Sequence, residues 1–211
     1  MQSTHQIDTT TSRRRPWNKG KITGQKPPLQ PKHVWAIRTK LQLDNKIRDL
    51  ALFNLAIDSK LRGCDLIKLK VWDVAHEGKA MRRAAILQQK TTQPVKFELT
   101  DQTREAVETL IVQARLASYQ FLFPSRLTRS PHISTRQYAR IVKSWAARIG
   151  LEPRDYGTHS LRRTKATLIY KRTKNLRAVQ LLLGHTKLES TVRYLGIEVD
   201  DALEMSEQTE V

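Results

Sequence analysis

The sequence contains a single cysteine, Cys64, among its 211 residues. One cysteine can form neither an intramolecular disulfide nor a zinc site built from cysteine pairs, so we expect a reducing compartment such as the cytoplasm. Long apolar runs are also missing, because the longest uninterrupted ones, such as 50–53 and 84–87, span four residues each. A membrane-spanning helix needs about 20 apolar residues, so the sequence predicts neither a membrane span nor a secretory signal.

Aromatic and acidic residues are scarce. Aromatic residues make up 6% of the chain and no base-stacking motif is recognisable, which argues against an RNA-binding protein. The chain has 20 acidic and 38 basic residues, which gives a formal net charge of +18. Such a charge favours a polyanionic partner, and we expect double-stranded DNA, because neutralised phosphates release their condensed counterions. A membrane surface is a weaker candidate, since no segment joins a basic face to a broad apolar one.

The distribution of charge and apolar residues predicts three segments. Residues 1–28 are polar and are predicted to form a disordered basic arm, in which Arg13, Arg14 and Arg15 are candidate DNA contacts. Residues 29–197 have the length and apolar content of one domain. Residues 198–211 form an acidic tail, predicted either to stay solvated or to dock on a basic surface of its own or a neighbouring subunit.

Apolar periodicity within the central segment predicts a mostly helical α+β domain. Helical spacing recurs from Pro31 onward and again through most of the C-terminal half of the chain. Between these helices, residues 71–74, 83–88 and 94–99 are short, β-prone and separated by turn-like stretches. This pattern predicts a small three-stranded antiparallel sheet inserted early in the domain.

The last quarter of the domain holds the residues best suited to phosphate chemistry. His159 and Arg162 are three residues apart and therefore share one face of a helix, to which Arg163 and Lys165 add positive charge. His185 follows a glycine at a predicted helix C-terminus, where the helix dipole favours a cationic imidazole. Taken singly, each of these residues is typical of an ordinary surface or cap position, and Arg163 and Lys165 of a solvated basic face.

Five segments in a fixed order resemble those of the tyrosine recombinases, also called phage integrases. The resemblance covers residues 45–198 and rests on Leu61 to Leu69 with its Arg62, Gln89-Lys90-Thr91, His159-Ser160-Leu161-Arg162, Leu182-Leu183-Gly184-His185 and Tyr194. It implies the catalytic-domain fold of that family and site-specific recombination of DNA. The resemblance implies no ATP or other cofactor, because the bond energy is kept in a 3′-phosphotyrosyl link. It implies no metal, because two arginines and a lysine take the role that a metal plays in nucleases.

The resemblance also implies a role for each matching residue. Arg62 and Arg162 would grip the scissile phosphate, and Tyr194 would attack it as the nucleophile. Lys90 would protonate the leaving 5′ oxygen, although Lys79 and Lys96 flank the same hairpin and remain alternatives. His159 would help to remove the tyrosine proton, and His185 would donate a hydrogen bond to a phosphate oxygen.

The sequence departs from the family pattern in three places. Lys60 and Asp65 stand where the family commonly has glycine and glutamate. The N-terminal helical domain usual in the family is not recognisable ahead of the catalytic segments.

A homotetramer on DNA, accessory DNA-bending proteins and association with the nucleoid are further implications of the resemblance. Two alternatives remain open: a catalytically degenerate DNA-binding regulator, and a nicking-closing enzyme resembling type IB topoisomerases.

Overall fold

The computed structural model describes residues 24–126 and 130–197, together with residues 203, 206 and 207. Within this part of the chain the elements are, in order, α1 (Pro31–Leu43), α2 (Ile47–Ser59), α3 (Gly63–Leu66), α4 (Val71–Val74), β1 (Ala75–His76), β2 (Lys79–Ala80), β3 (Arg83–Leu87), β4 (Pro94–Glu98), α5 (Asp101–Gln113), α6 (Thr135–Arg148), α7 (Thr158–Thr173), α8 (Leu176–Leu183) and α9 (Leu188–Leu195). The predicted α+β, mostly helical fold class is confirmed.

Helix α2 lies at the centre of the main core. Its residues from Ala51 to Ser59 are all buried, because α1, α5 and α7 pack around it. This burial fits a helix whose apolar residues are distributed around most of its circumference. A second, smaller core joins the C-terminal helices and includes Ala166, Tyr170, Val179 and Leu183.

The prediction of a three-stranded sheet is wrong, because one of its three segments does not form a strand. Residues 71–74 form the helical turn α4, and the strands pair in two separate antiparallel sheets, β1 with β2 and β3 with β4. The carboxylate of Asp73 accepts a hydrogen bond from the backbone N–H of Lys70 at 2.7 Å, which closes a helical turn at this point. Val71 and Val74, three residues apart, are both buried, whereas Trp72 is 50% exposed, and this spacing is that of a helical turn.

Lys60 ends α2 in a backbone conformation that usually favours glycine. Its φ is 54°, and its side chain is nevertheless almost completely buried. The ammonium is satisfied there, because Nζ donates to the Asp58 carbonyl at 2.5 Å and to the Glu98 carboxylate at 3.0 Å. Burial lowers the pKa of Lys60 in spite of Glu98. The ion pair therefore accounts for how this chain tolerates lysine where the family commonly has glycine.

Residues 24–28, the end of the predicted disordered arm, lie against the C-terminal helices. The Gln25 side chain donates to the Arg193 carbonyl at 2.6 Å, and Arg163 Nη1 donates to the Lys26 carbonyl at 2.7 Å. Leu29 is buried and anchors this segment, and the predicted bounds of the arm, 1–28, stay a prediction. Residues 1–23, with Arg13, Arg14 and Arg15, lie outside the described residues, as does most of the acidic tail. No helix in the described segments is long and apolar enough to span a bilayer.

Candidate active site

Four parts of the fold meet around a small basic site. Arg62 lies at the N-terminus of α3, and His159 and Arg162 lie in the first turns of α7. His185 directly follows the glycine that ends α8, and Tyr194 lies near the end of α9. The structure thus brings together five of the six residues predicted to act, although they span more than half of the chain.

Arg162 is the most deeply placed of the site cations. Its side chain is 2% exposed, and Nη2 donates to the carbonyl of Leu183 at 2.8 Å. Nη1 is buried and has no hydrogen-bond partner in the described structure. A buried donor without a partner is costly, so this edge of the guanidinium is suited to receiving an anionic ligand.

Tyr194 packs among cations and an imidazole. Its ring centroid lies 5.3 Å from that of His185 in an edge-on arrangement, and the Cζ atoms of Arg162 and Arg163 lie 5.9 and 5.4 Å from it. The hydroxyl is buried and lacks a hydrogen bond of normal geometry. Burial raises the pKa of Tyr194 to about 12 even though Arg162 and Arg163 oppose that shift. The phenol is therefore protonated at neutral pH and needs a proton acceptor to react.

Both histidines of the site are neutral at pH 7. Burial, followed by the charges of Arg162 and Arg62, lowers the pKa of His185 to about 4. The expected cationic imidazole at this helix end is therefore not favoured, because burial, together with the nearby guanidinium groups, opposes the effect of the helix dipole. Partial burial and the same cations lower the pKa of His159 below its ordinary value. Neutral His159 can accept a proton, and His185 is oriented by a 3.1 Å contact between Nδ1 and the Thr191 hydroxyl.

Arg62 is held by a residue that the sequence did not single out. Its Nη1 donates a hydrogen bond to the side-chain oxygen of Gln88, which follows β3 and is 1% exposed. Asp65, which stands where the family commonly has glutamate, is buried and accepts a hydrogen bond from the Gln89 backbone at 3.0 Å. Gln88 flanks the predicted lysine turn, but its burial and its contact with Arg62 are properties of the fold, and no local sequence pattern marks them.

Lys90 lies in the exposed turn that joins β3 and β4. Its charge reaches the site, because it contributes to the lowered pKa of His159. The sequence left Lys79 and Lys96 as alternatives, and Lys79 is paired with Glu108 at 3.8 Å in the other hairpin. No group of three or more metal-ligating side chains occurs among the residues that the structure describes.

The sequence suggested that Arg163 and Lys165, the two additional basic residues of α7, lie on a solvated face. In the structure both of them instead contact other parts of the protein. Arg163 is buried and joins the Lys26 carbonyl to the Tyr194 ring. The Lys165 ammonium lies 2.7 Å from the carboxylates of both Asp58 and Glu98. These carboxylates raise the pKa of Lys165 against the effect of burial. DNA contact by Arg163 or Lys165 stays a prediction. The two carboxylates partly neutralise the charge of Lys165, which weakens its attraction for a DNA phosphate.

Gly184 allows α8 to end against the β3–β4 hairpin. Its φ is +62°, and a Cβ at this position would lie 2.4 Å from Val95 Cγ2 and 3.1 Å from Gln88 Nε2. We expect Gly184→Ala to lower the free energy of unfolding by about 2–4 kcal/mol, because it adds a clash with a buried branched side chain to the cost of a positive φ. A urea titration measures the effect.

Gly150→Ala is the matched control for this substitution. Gly150 also has a positive φ, +78°, but a Cβ there meets nothing within 4 Å. We expect it to cost only about 1 kcal/mol, the conformational part alone. Equal losses for the two variants would contradict the close packing of Gly184 on the hairpin.

Comparison with known proteins places this arrangement in a family. The model of the phage integrase family matches residues 29–199. The chain belongs to the phage integrase family. It is 35% identical over 165 residues to "Probable integrase/recombinase YoeC" of Bacillus subtilis, covering 75% of this chain and 82% of that protein. It is 29% identical over 195 residues to tyrosine recombinase XerC of Neisseria gonorrhoeae, covering 83% of this chain.

Solved structures of integrases and recombinases share the fold. The crystal structure of XerA recombinase has a TM-score of 0.70 at 19% identity, over 89% of this chain and 66% of XerA. A Tn1549 transposon integrase in complex with circular intermediate DNA has a TM-score of 0.68 at 19% identity, over 88% of this chain and 68% of that integrase. The chain spans 59% of the length of the XerC relative.

Proposed function

We propose that this phage integrase family member is a site-specific DNA recombinase, which cleaves and rejoins DNA strands through a 3′-phosphotyrosyl intermediate. The alternatives, a DNA-binding regulator without activity and a topoisomerase-like nicking-closing enzyme, are less consistent with relatives that are named as integrases and recombinases.

One observation supports this proposal above the others. The Tyr194 hydroxyl and Arg162 Nη1 are both buried, and neither makes a hydrogen bond of normal geometry in the described structure. Arg162 nevertheless lies close enough to the phenol to oppose the rise in its pKa. A buried nucleophile beside a cationic donor that keeps bonding capacity is the pair of groups that attack on a phosphate requires. A purely structural tyrosine in such a place would be expected to use its hydroxyl.

The proposed chemistry follows from the charges of these groups. The oxygen of Tyr194 attacks the phosphorus, the bond from phosphorus to the 5′ oxygen breaks, and the DNA 3′ end stays attached to the enzyme. The phenol proton passes to neutral His159, and Lys90 protonates the leaving 5′ oxygen. Arg62 and Arg162 hold the non-bridging oxygens, where charge develops, while the neutral imidazole of His185 donates a further hydrogen bond.

A second basic surface supports double-stranded DNA as the partner. A cavity of about 350 Å³ lies at the N-terminus of α6 and is lined by Arg48, Arg126, Arg140 and His132, with several hydroxyl side chains. Phosphate groups suit such a lining, because guanidinium groups and helix N-termini both bind anions. A homotetramer on DNA, accessory DNA-bending proteins and association with the nucleoid in the cytoplasm belong to the same proposal.

Trapping of the covalent intermediate tests the proposal. Nicked duplexes that tile the host DNA on both sides of the coding gene are incubated with the protein and resolved by denaturing electrophoresis. We expect one duplex to become attached to the protein through a 3′ end, because the short 5′-hydroxyl fragment diffuses away before religation. Binding to these duplexes without any covalent product would instead indicate a DNA-binding protein without recombinase activity.

A further inference from the structure

Gln88 joins three parts of the site through one buried side-chain amide. Its oxygen accepts hydrogen bonds from Arg62 Nη1 and, at 2.8 Å, from the Thr91 hydroxyl. Its nitrogen donates to the carbonyl of Leu183 at 3.2 Å. Few side chains can do this, since glutamine is long and neutral and combines an acceptor with two donors.

The Leu183 carbonyl is shared between Gln88 and Arg162. Arg162 Nη2 donates to the same oxygen at 2.8 Å, so the two site arginines are tied to one point at the end of α8. Arg162 reaches this point directly, whereas Arg62 reaches it only through Gln88. Gly184 makes the approach possible, because a Cβ there would lie 3.1 Å from the Gln88 nitrogen.

The turn that bears Lys90 is fixed by the same residue. The Gln88 carbonyl accepts a hydrogen bond from Thr92 N at 2.8 Å, and Gln88 N donates to the Gln93 carbonyl at 3.0 Å. Together with the bond from Thr91 to the Gln88 oxygen, these contacts close the turn on both sides of Lys90. Gln88 therefore contacts the Arg62 guanidinium, the end of α8 and the lysine turn.

We propose that Gln88 is a positioning residue for strand cleavage, which holds Arg62 in register with Arg162 so that both guanidinium groups can engage one phosphate. The inference rests on the proposed recombinase function. A neutral amide suits this place, because it orients Arg62 without cancelling the positive charge that the phosphate needs. Gln88 does not itself touch the phosphate, so its contribution passes through Arg62.

Substitution of Gln88 tests this inference on the duplex with which the wild-type protein forms a covalent adduct. Gln88→Met keeps the length and volume of the side chain and removes all three hydrogen bonds. We expect the single-turnover rate of adduct formation to fall by roughly 10- to 100-fold, since small misplacements of a reacting group carry costs of this size. The Kd for the duplex should change by less than about threefold, because phosphate charge pairing is retained.

A double-mutant cycle with Arg62→Ala separates positioning from general damage. If Gln88 acts through Arg62, Gln88→Met should have almost no further effect on the adduct rate in the Arg62→Ala protein. An equally large loss in both backgrounds would overturn the inference. Gln88→Asn, whose side chain is one methylene shorter, is the milder second variant. If Gln88→Met melts non-cooperatively and is therefore misfolded, the same cycle is measured with Gln88→Asn.

Gln113→Met is the matched control. Gln113 is exposed and ends α5, an element that contributes no residue to the site, so the same chemical change is made elsewhere. We expect its adduct rate to stay within about twofold of wild type, in keeping with an exposed substitution. A loss as large as that of Gln88→Met would also overturn the inference. If the wild-type protein itself forms no adduct, it is the proposed function that fails.

Discussion

Tyr194→Phe should abolish formation of the covalent protein–DNA adduct while the protein stays folded and keeps its affinity for DNA. The substitution removes only the hydroxyl, which is buried and makes no hydrogen bond of normal geometry in the described structure, so folding loses little. The nucleophile is lost completely, and we expect the rate to fall by at least about 10³-fold. Denaturing electrophoresis after incubation with the nicked duplex measures the adduct, and a gel-shift titration measures the affinity.

Tyr170→Phe provides the control for this experiment. Tyr170 is a buried tyrosine of α7 in the same small core against which Tyr194 packs. It should form the adduct at a rate within about threefold of wild type, because its hydroxyl is not the one that attacks the phosphate. Adduct formation by Tyr194→Phe at the wild-type rate would show that another residue is the nucleophile.

Arg162→Lys should lower the rate of adduct formation by about 100-fold or more with a much smaller loss of DNA affinity. Arginine bonds the Leu183 carbonyl through Nη2 and keeps Nη1 available, whereas one ammonium group cannot match this forked geometry. The loss appears in the cleavage step because the guanidinium meets charge that develops during attack. Single-turnover rates and Kd values for the same duplex separate the two effects.

Arg172→Lys makes the same chemical change on an exposed residue in the last turn of α7. Neither its adduct rate nor its Kd should change by more than about threefold, since exposed charge contributes little beyond the general field. A parallel loss of affinity and rate in Arg162→Lys would mean that Arg162 only holds DNA and takes no part in cleavage.

Much of the site could be predicted because the relevant information is local. The spacing of His159 and Arg162 on one helix face, and the glycine before His185, are properties of short segments. Their order along the chain then matched a family whose fold brings such segments together. Asn175 and Gly184 likewise marked the ends of α8, where Asn175 accepts a hydrogen bond from Ala178 N at 2.9 Å.

What the sequence could not predict depends on contacts between distant segments. The sequence predicted a solvated Lys165, because its partners Asp58 and Glu98 lie far away along the chain, on α2 and β4. The neutral state of His185 depends on Arg62 and Arg162, which no local pattern places beside it. Residues 71–74 have β-prone side chains, yet they form a helical turn in which the Asp73 carboxylate accepts a hydrogen bond from Lys70 N. Gln88 became visible only when its three partners had been located.

The position of the phosphorus in the trapped adduct tests the recombinase assignment most directly. The adduct is digested with nuclease and protease, and the remaining modified peptide is sequenced by mass spectrometry. The account predicts a nucleotide joined through its 3′ phosphate to the oxygen of Tyr194. A phosphate on any other side chain, or a link through the 5′ end of the DNA, would contradict it.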